Sequence, residues 1–231
     1  MKNVTEGAPV AESVPARQRV FLVEDHPIFR HGLIALIKSE PGLAVCGEAT
    51  SAQQAVDDLR RVQTDLVIVD ISLEGTNGIE LIKQLRAEHE SLPILVLSLH
   101  DESIYAMRAL RAGANGYIMK RAPSEEFLKA VAEVLGGEIY VSPVLRKEIV
   151  FRAARGEKGG ASPIQELTDR ELEILALVGQ GRGSREIAEQ LHLSVKTIES
   201  HRLHMKDKLG LASAPELVRF AVQWVESQLE V

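Results

Sequence analysis

The chain has 231 residues, room for one large domain or two small ones, and its 45% hydrophobic and 26% charged residues are ordinary for a soluble protein. No apolar run is long enough to span a bilayer. The net charge is −6, so nucleic-acid binding does not follow from the total, and any basic surface has to be local.

Met1 to Gln18 mixes Lys2, Glu6, Glu12 and Arg17 with Pro9 and Pro15. It lacks an apolar signal core, so residues 1–18 read as a short disordered leader of a cytoplasmic protein. From Arg19 to Gly136 strand and helix patterns alternate. Val20–Glu24 is an apolar run ending in carboxylates, and Pro27 suits the first turn of a helix reaching Ser39. Pro41-Gly42 breaks the chain before a strand over 43–48. The one cysteine, Cys46, has no partner for an internal disulfide and reads as a buried small hydrophobe in that strand. Ser51 caps a helix to about Gln63, with Ala52, Ala55, Val56 and Leu59 on one face.

Leu66-Val67-Ile68-Val69-Asp70 is the clearest element: a β-branched run leading straight into one carboxylate, as a fully buried parallel strand reads. A loop through Gly75 and Gly78 follows, then a helix marked by Ile79, Leu81, Ile82 and Leu85. Pro93 opens a strand over 94–98 ending at Ser98. A helix over 102–112 is capped by Gly113. A strand over 116–119 ends at Lys120, and a helix over 124–135 closes the unit at Gly136-Gly137. Five βα repeats of this length imply an α/β fold, a doubly wound five-stranded parallel sheet with helices on both faces. Residues 137–163 read as a linker, with a short helix over 143–154 and a flexible stretch from Gly156 to Pro163.

Residues 164–231 carry no strand signal and imply a second, all-α domain. Thr168 with Glu171 forms a capping box over a stripe of Leu172, Leu175 and Ala176. Ser184 caps a helix with Ile187, Ala188 and Leu191, Ser194 caps a longer one to Leu209 ended by Gly210, and a last helix spans 214–228. Short helix, tight turn and second helix make the helix-turn-helix pattern.

In open α/β sheets, ligands sit at the C-terminal strand ends. Parallel neighbours would bring Glu24, Asp25, Asp70, the Ser98 hydroxyl and the Lys120 ammonium to one edge. Three like charges need neutralising, and a hard divalent cation does so; Mg2+ favours carboxylate oxygens and binds phosphates well. With the metal in place, a carboxylate can attack a phosphoryl group to give an aspartyl-phosphate, while Lys120 and Ser98 engage its oxygens. Each residue also has a plainer reading: Asp25 as a helix initiator, Ser98 as a cap, Lys120 as a solvated lysine, Tyr117 as a core aromatic. Their joint placement at successive strand ends favours a site.

Residues 19–136, through Val23-Glu24-Asp25-His26-Pro27, Val69-Asp70-Ile71-Ser72-Leu73 with Gly78, Leu97-Ser98 and Gly116-Tyr117-Ile118-Met119-Lys120, resemble the receiver domain of a bacterial two-component response regulator. The resemblance implies that Asp70 accepts a phosphoryl group from a sensor histidine kinase, and that Glu24, Asp25, Asp70 and the Ser72 carbonyl hold magnesium. It implies that Ser98 and Tyr117 are the switch pair. The family often has Met-Pro where this chain has Leu73-Glu74, and Asp where it has Glu24, which bears on phosphoryl lifetime and metal affinity rather than identity.

Leu167-Thr168-Asp169-Arg170-Glu171, Glu186-Ile187-Ala188, Leu193-Ser194 and Lys196-Thr197-Ile198-Glu199-Ser200-His201 resemble the LuxR-type helix-turn-helix. The whole then resembles a NarL/FixJ-type response regulator, a phosphorylation-controlled transcriptional regulator. Helical spacing puts Ile198, His201, Met205 and Leu209 inward and Glu199, Ser200 and Leu203 opposite. The resemblance sends the latter three to base edges of double-stranded DNA, and Lys196, Thr197 and Lys206 to phosphates. The expected control is that phosphorylation releases the protein to form a homodimer on paired half-sites, and the last helix, with Leu217, Phe220, Ala221 and Trp224, offers an apolar face for a partner as well as for the core. A nucleotide-binding enzyme is disfavoured because the first βα turn reads Glu-Asp-His-Pro rather than a glycine-rich cradle. A small-molecule sensor is disfavoured by the polar strand edge. A receiver working by contact alone, without phosphate, is disfavoured by the intact acid, hydroxyl and lysine set.

Overall fold

The computed structural model describes residues 17–73, 77–154 and 163–229. The leader up to residue 16, Glu74 and Gly75 of the loop, and the glycine-rich stretch 155–162 lie outside them. Five parallel strands, β1 (Gln18–Val23), β2 (Leu43–Ala49), β3 (Leu66–Asp70), β4 (Ile94–Ser98) and β5 (Gly116–Met119), form one sheet in the order β2-β1-β3-β4-β5. The helices between and after them are α1 (Pro27–Ser39), α2 (Ala52–Leu59), α3 (Gly78–Glu88), α4 (Glu102–Ala112) and α5 (Ser124–Leu135).

Strand side chains alternate between two cores. Val20, Leu22, Leu66, Ile68, Leu95 and Leu97 pack with Leu33 and Ile37 of α1 and with Phe127 and Val131 of α5. Phe21, Val23, Val67, Val69 and Val96 pack on the other face with α2, α3 and α4. That second core continues without a break into the helical domain. Strand order reverses between β1 and β3, so the two strand ends diverge around a crevice. Register then decides what fills it. Val23 lies beside Val69, so the next residues, Glu24 and Asp70, stand side by side. Ser98 lies beside Met119, which brings Lys120 to the same edge.

The structure departs from the sequence expectation in four places. Residues 137–145 are not a linker: Tyr117 N–H donates to Tyr140 O (2.9 Å), Tyr140 N–H donates to Asn115 O (3.0 Å), and Tyr140, Val141 and Leu145 are buried. The chain therefore stays on the sheet past residue 136 before entering α6 (Pro143–Ala154). Helix α2 ends at Leu59, its last buried residue; Arg61 and Val62 both turn back to the Asp58 carbonyl. Cys46 is half-buried, because β2 is an edge strand, and its Sγ lies 3.6 Å from Thr64 Oγ1.

The fourth departure is a cap. After a 3₁₀ turn (Pro163–Glu166), the second domain comprises α7 (Asp169–Gly179), α8 (Ser184–Gln190), α9 (Val195–Leu209) and α10 (Ala214–Leu229). Gly183, not Ser184, caps α8, because the Glu186 carboxylate returns to the Gly183 N–H at 2.7 Å. The Thr168–Glu171 capping box and the Ser194 cap form as expected. Among the described residues, no helix is long and apolar enough to cross a membrane.

Gly78 opens α3 directly beneath the crevice. A Cβ added there would lie 2.2 Å from the Asp70 carbonyl oxygen and 2.7 Å from Ile71 Cα, both backbone atoms that cannot rotate away. Gly78→Ala is expected to cost about 1–3 kcal/mol of stability by overpacking, measured by urea denaturation.

Candidate phosphoacceptor site and DNA-reading helix

Glu24 and Asp70 are buried, Asp25 is partly exposed, and one ligand atom from each of Glu24, Asp25, His26 and Asp70 falls within 4.8 Å of the others. Lys120 Nζ lies 2.7 Å from Glu24 Oε2 and 2.8 Å from Asp70 Oδ2, and 4.6 Å from the centroid of the Phe29 ring. Burial and the neighbouring Asp70 carboxylate push the Glu24 carboxyl above its ordinary range, with Lys120 opposing the shift. Burial works against the Lys120 charge, but Asp70 and Glu24 outweigh it and hold its pKa above the ordinary value. Two of the three carboxylates thus share one buried ammonium, and the third adds an acidic excess suited to a hard divalent cation.

The surroundings hold this edge in shape. Ser72 N–H donates to Asp70 Oδ1 (3.1 Å), and His26 N–H donates to Glu24 Oε1 (3.1 Å). Ser98, fully buried, accepts the His100 N–H at 3.0 Å, and the Tyr117 hydroxyl donates to the His100 carbonyl at 2.7 Å. The Tyr117 ring is turned fully inward. Of the receiver residues singled out from the sequence, Glu24, Asp25, Asp70, Ser98 and Lys120 lie at or just past the strand ends, Ser72 follows two residues after β3, and Tyr117 lies within β5 and reaches the edge through its bond to His100.

Two residues were missed. His26 joins the acidic cluster, with Nδ1 3.0 Å from Asp25 Oδ1. His100 places Nε2 3.0 Å from Ser72 Oγ and stacks on Tyr105 with centroids 4.5 Å apart. Burial lowers the His100 pKa, favouring the neutral ring. Its position two residues past the end of β4 was the available signal.

On α9, Ile198 and Met205 are buried and His201 is half-buried, its pKa lowered by burial. Lys196, Glu199, Ser200 and Leu203 face solvent, and Leu203 is 51% exposed on an otherwise polar face. Thr197 is tied to the Ser194 hydroxyl at 2.8 Å, and Lys206 is half-buried. Lys208 is committed elsewhere, 2.6 Å from Glu171 Oε2. That contact and the Thr168 hydrogen bonds hold the Glu171 carboxyl below its usual range, although burial opposes them. On α10, Leu217, Ala221 and Trp224 are buried within the domain and Phe220 is half-buried, so most of this stripe serves the core.

An acidic switch-point crevice on a doubly wound sheet, joined to a helix-turn-helix with a solvent-facing second helix, defines a signal-receiving unit coupled to a DNA-binding one. Residues 20–132 match the response regulator receiver domain, and residues 165–221 match the bacterial regulatory proteins of the luxR family. The chain is 34% identical over 210 residues to the oxygen regulatory protein NreC of Staphylococcus carnosus (strain TM300), covering 89% of this chain and 97% of that one. Among solved structures, a LuxR-family two-component response regulator from Aurantimonas sp. SI85-9A1 is 35% identical over 60% of this chain and 99% of its own, with a TM-score of 0.57. RcsB of Salmonella enterica serovar Typhimurium, bound to promoter P1flhDC in the presence of phosphomimetic BeF3-, is 25% identical over 89% of this chain and 98% of its own, with a TM-score of 0.64. The chain belongs to the NarL/FixJ-type response regulators, DNA-binding transcriptional regulators of two-component systems.

Among the described residues, Lys120 is the one cation shared by Glu24 and Asp70, and removing it leaves two buried carboxylates without their common ammonium. Lys120→Ala is expected to lower stability by about 3–5 kcal/mol in divalent-free buffer, read from the urea midpoint.

Proposed function

We propose that Asp70 is the phosphoacceptor and that a sensor histidine kinase is the donor. An Asp70 carboxylate oxygen attacks phosphorus, the P–N bond to the donor imidazole breaks, and the imidazole leaves with a proton. Lys120 pairs with the phosphoryl oxygens and the Ser98 hydroxyl donates to one of them. Glu24, Asp25, Asp70 and the Ser72 carbonyl would hold Mg2+, a hard ion that fits an all-oxygen set. Bound there, it would offset the charge that gathers on the phosphoryl oxygens. His26 offers nitrogen, a poor donor to this ion, and its role is to orient Asp25. Ser98 and Tyr117 form the switch pair, both already hydrogen-bonded to His100. The chain transforms no substrate beyond its own phosphoryl group.

The observation that supports this reading most is the Lys120 ammonium within 2.8 Å of both Glu24 and Asp70 in a buried crevice at the sheet's switch point. Intact mass after incubation with magnesium and acetyl phosphate tests it. One labile phosphoryl adduct is expected on the wild type and none on Asp70→Asn; an adduct on both places the acceptor elsewhere.

In the output half, Glu199, Ser200 and Leu203 approach base edges in the major groove of double-stranded DNA, and Lys196, Thr197 and Lys206 contact phosphates. Phosphorylation favours a homodimer on paired half-sites in the cytoplasm. Lys196→Ala and Lys206→Ala are each expected to weaken binding across all sequences and to reduce the slope of log K against log salt by about 1, measured by fluorescence anisotropy. An unchanged slope would remove that lysine from the phosphate contacts.

A further inference from the structure

Glu24, Asp25 and His26 form the turn between β1 and α1, and this turn carries two of the three carboxylates. Glu24 is tied at every polar group. Its N–H donates to the Ala49 carbonyl of β2 at 3.0 Å, Oε1 accepts the His26 N–H, and Oε2 meets Lys120. Its own carbonyl is taken by a side chain from one turn into α1: Arg30 Nη1 donates to Glu24 O at 2.8 Å and lies 3.5 Å from Asp25 O. The same guanidinium donates through Nε to Glu48 Oε2 of β2 at 2.9 Å, and the Arg30 side chain is largely shielded from solvent. One fork thus clamps the backbone of two acidic residues to the edge strand. Lys120 already holds the Glu24 and Asp70 carboxylates. Asp25 sits one residue further on, where the path of the backbone sets its aim.

We propose that Arg30 is a positioning residue for the divalent cation: by fixing the Glu24–Asp25 peptide it aims the Asp25 carboxylate into the crevice and so sets magnesium affinity. The inference rests on the assignment of Glu24, Asp25 and Asp70 as ligands. Two effects of Arg30 oppose each other. Its charge repels a cation, so losing it would tighten binding. Its hydrogen bonds hold the ligand turn in shape, so losing them would loosen binding. The Glu48 carboxylate lies against the guanidinium and offsets its charge. The hydrogen bonds have no such offset, so positioning outweighs repulsion. Losing a group that orients metal ligands typically costs about tenfold or more in affinity.

The test uses the full chain as wild type, Arg30→Ala, Arg30→Lys and Glu48→Gln. MgCl2 alone is titrated at constant ionic strength, and backbone amide NMR shifts around Asp70 give its Kd. We expect Kd to rise about tenfold in Arg30→Ala. Arg30→Lys keeps the charge and gives up the fork, so its Kd should lie nearer to Arg30→Ala than to the wild type. Glu48→Gln loosens the clamp and uncovers the Arg30 charge, and both effects weaken binding, by about threefold. Glu48 is exposed, so this variant carries the test should Arg30→Ala fail to fold. With acetyl phosphate as donor, the magnesium concentration for half-maximal labelling should follow Kd, while the rate at saturating magnesium falls by about twofold at most. An unchanged Kd in Arg30→Ala or Glu48→Gln, with only the urea midpoint lowered, would make the clamp structural. A tighter Kd in Arg30→Ala would mean that charge repulsion rules. A wild-type Kd in Arg30→Lys would mean that the fork is not needed. Each of these overturns the proposal. If magnesium moves no shifts in the wild type, the ligand assignment itself fails, and the proposal fails with it.

Discussion

The structure depends on one electrostatic arrangement: three carboxylates crowded at a sheet edge and a single buried ammonium among them. Water would solvate such a cluster at no cost, but Glu24 and Asp70 are both almost wholly removed from it. Lys120 can reach both only because β5 runs parallel to β4 and ends level with it. The parallel sheet is therefore a device for bringing acids and a base from distant parts of the chain to within hydrogen-bonding distance. The reversal of strand order between β1 and β3 leaves them a crevice to share.

What happens at that edge can reach the rest of the molecule through few intermediates. His100 touches almost everything relevant: its N–H meets Ser98, its carbonyl meets Tyr117, its ring meets Ser72 and stacks on Tyr105. Tyr105 lies on α4 one turn before Arg108, the residue that grips the start of α7. Helix α4 thus has the acidic sheet edge at one point and the DNA-binding domain at the next. The apolar core shared by α4 and the helical domain gives that contact a dry backing, in which a charged pair is screened less than at an open surface.

The DNA-binding domain divides α9 into a face that supports the fold and a face left to solvent. Ile198 and Met205 anchor α9 in the core, and Lys208 ties its last turn to Glu171, the partner of Thr168 in the capping box of α7. One carboxylate thus serves a cap and an ion pair at once. The opposite face of α9 is left with side chains that make no demand on the domain's packing. This is the condition for varying a surface without altering the fold that presents it.

Much of this was legible in the sequence because it was local. Hydrophobic period placed the five strands, Pro27 and Gly113 marked helix ends, and carboxylates at the ends of apolar runs pointed to the crevice. The inward and outward faces of α9 followed from helical spacing alone. What escaped was whatever depended on partners far away in the chain. Tyr140 belongs to the sheet because its backbone pairs with Asn115 and Tyr117, and no nearby residue announces this. Glu186 rather than Ser184 supplies the α8 cap bond through a side chain that happens to reach Gly183. His26 and His100 gained their places from the convergence of strand ends. The bonds from Arg108 to Leu167 and Asp169 at the start of α7 join residues about sixty positions apart. The sequence by itself determined which residues could carry charge, cap helices and line the core, since those are properties of type and period. Only the tertiary structure decided which of them meet, because proximity across a sheet or between domains is set by the path of the whole chain.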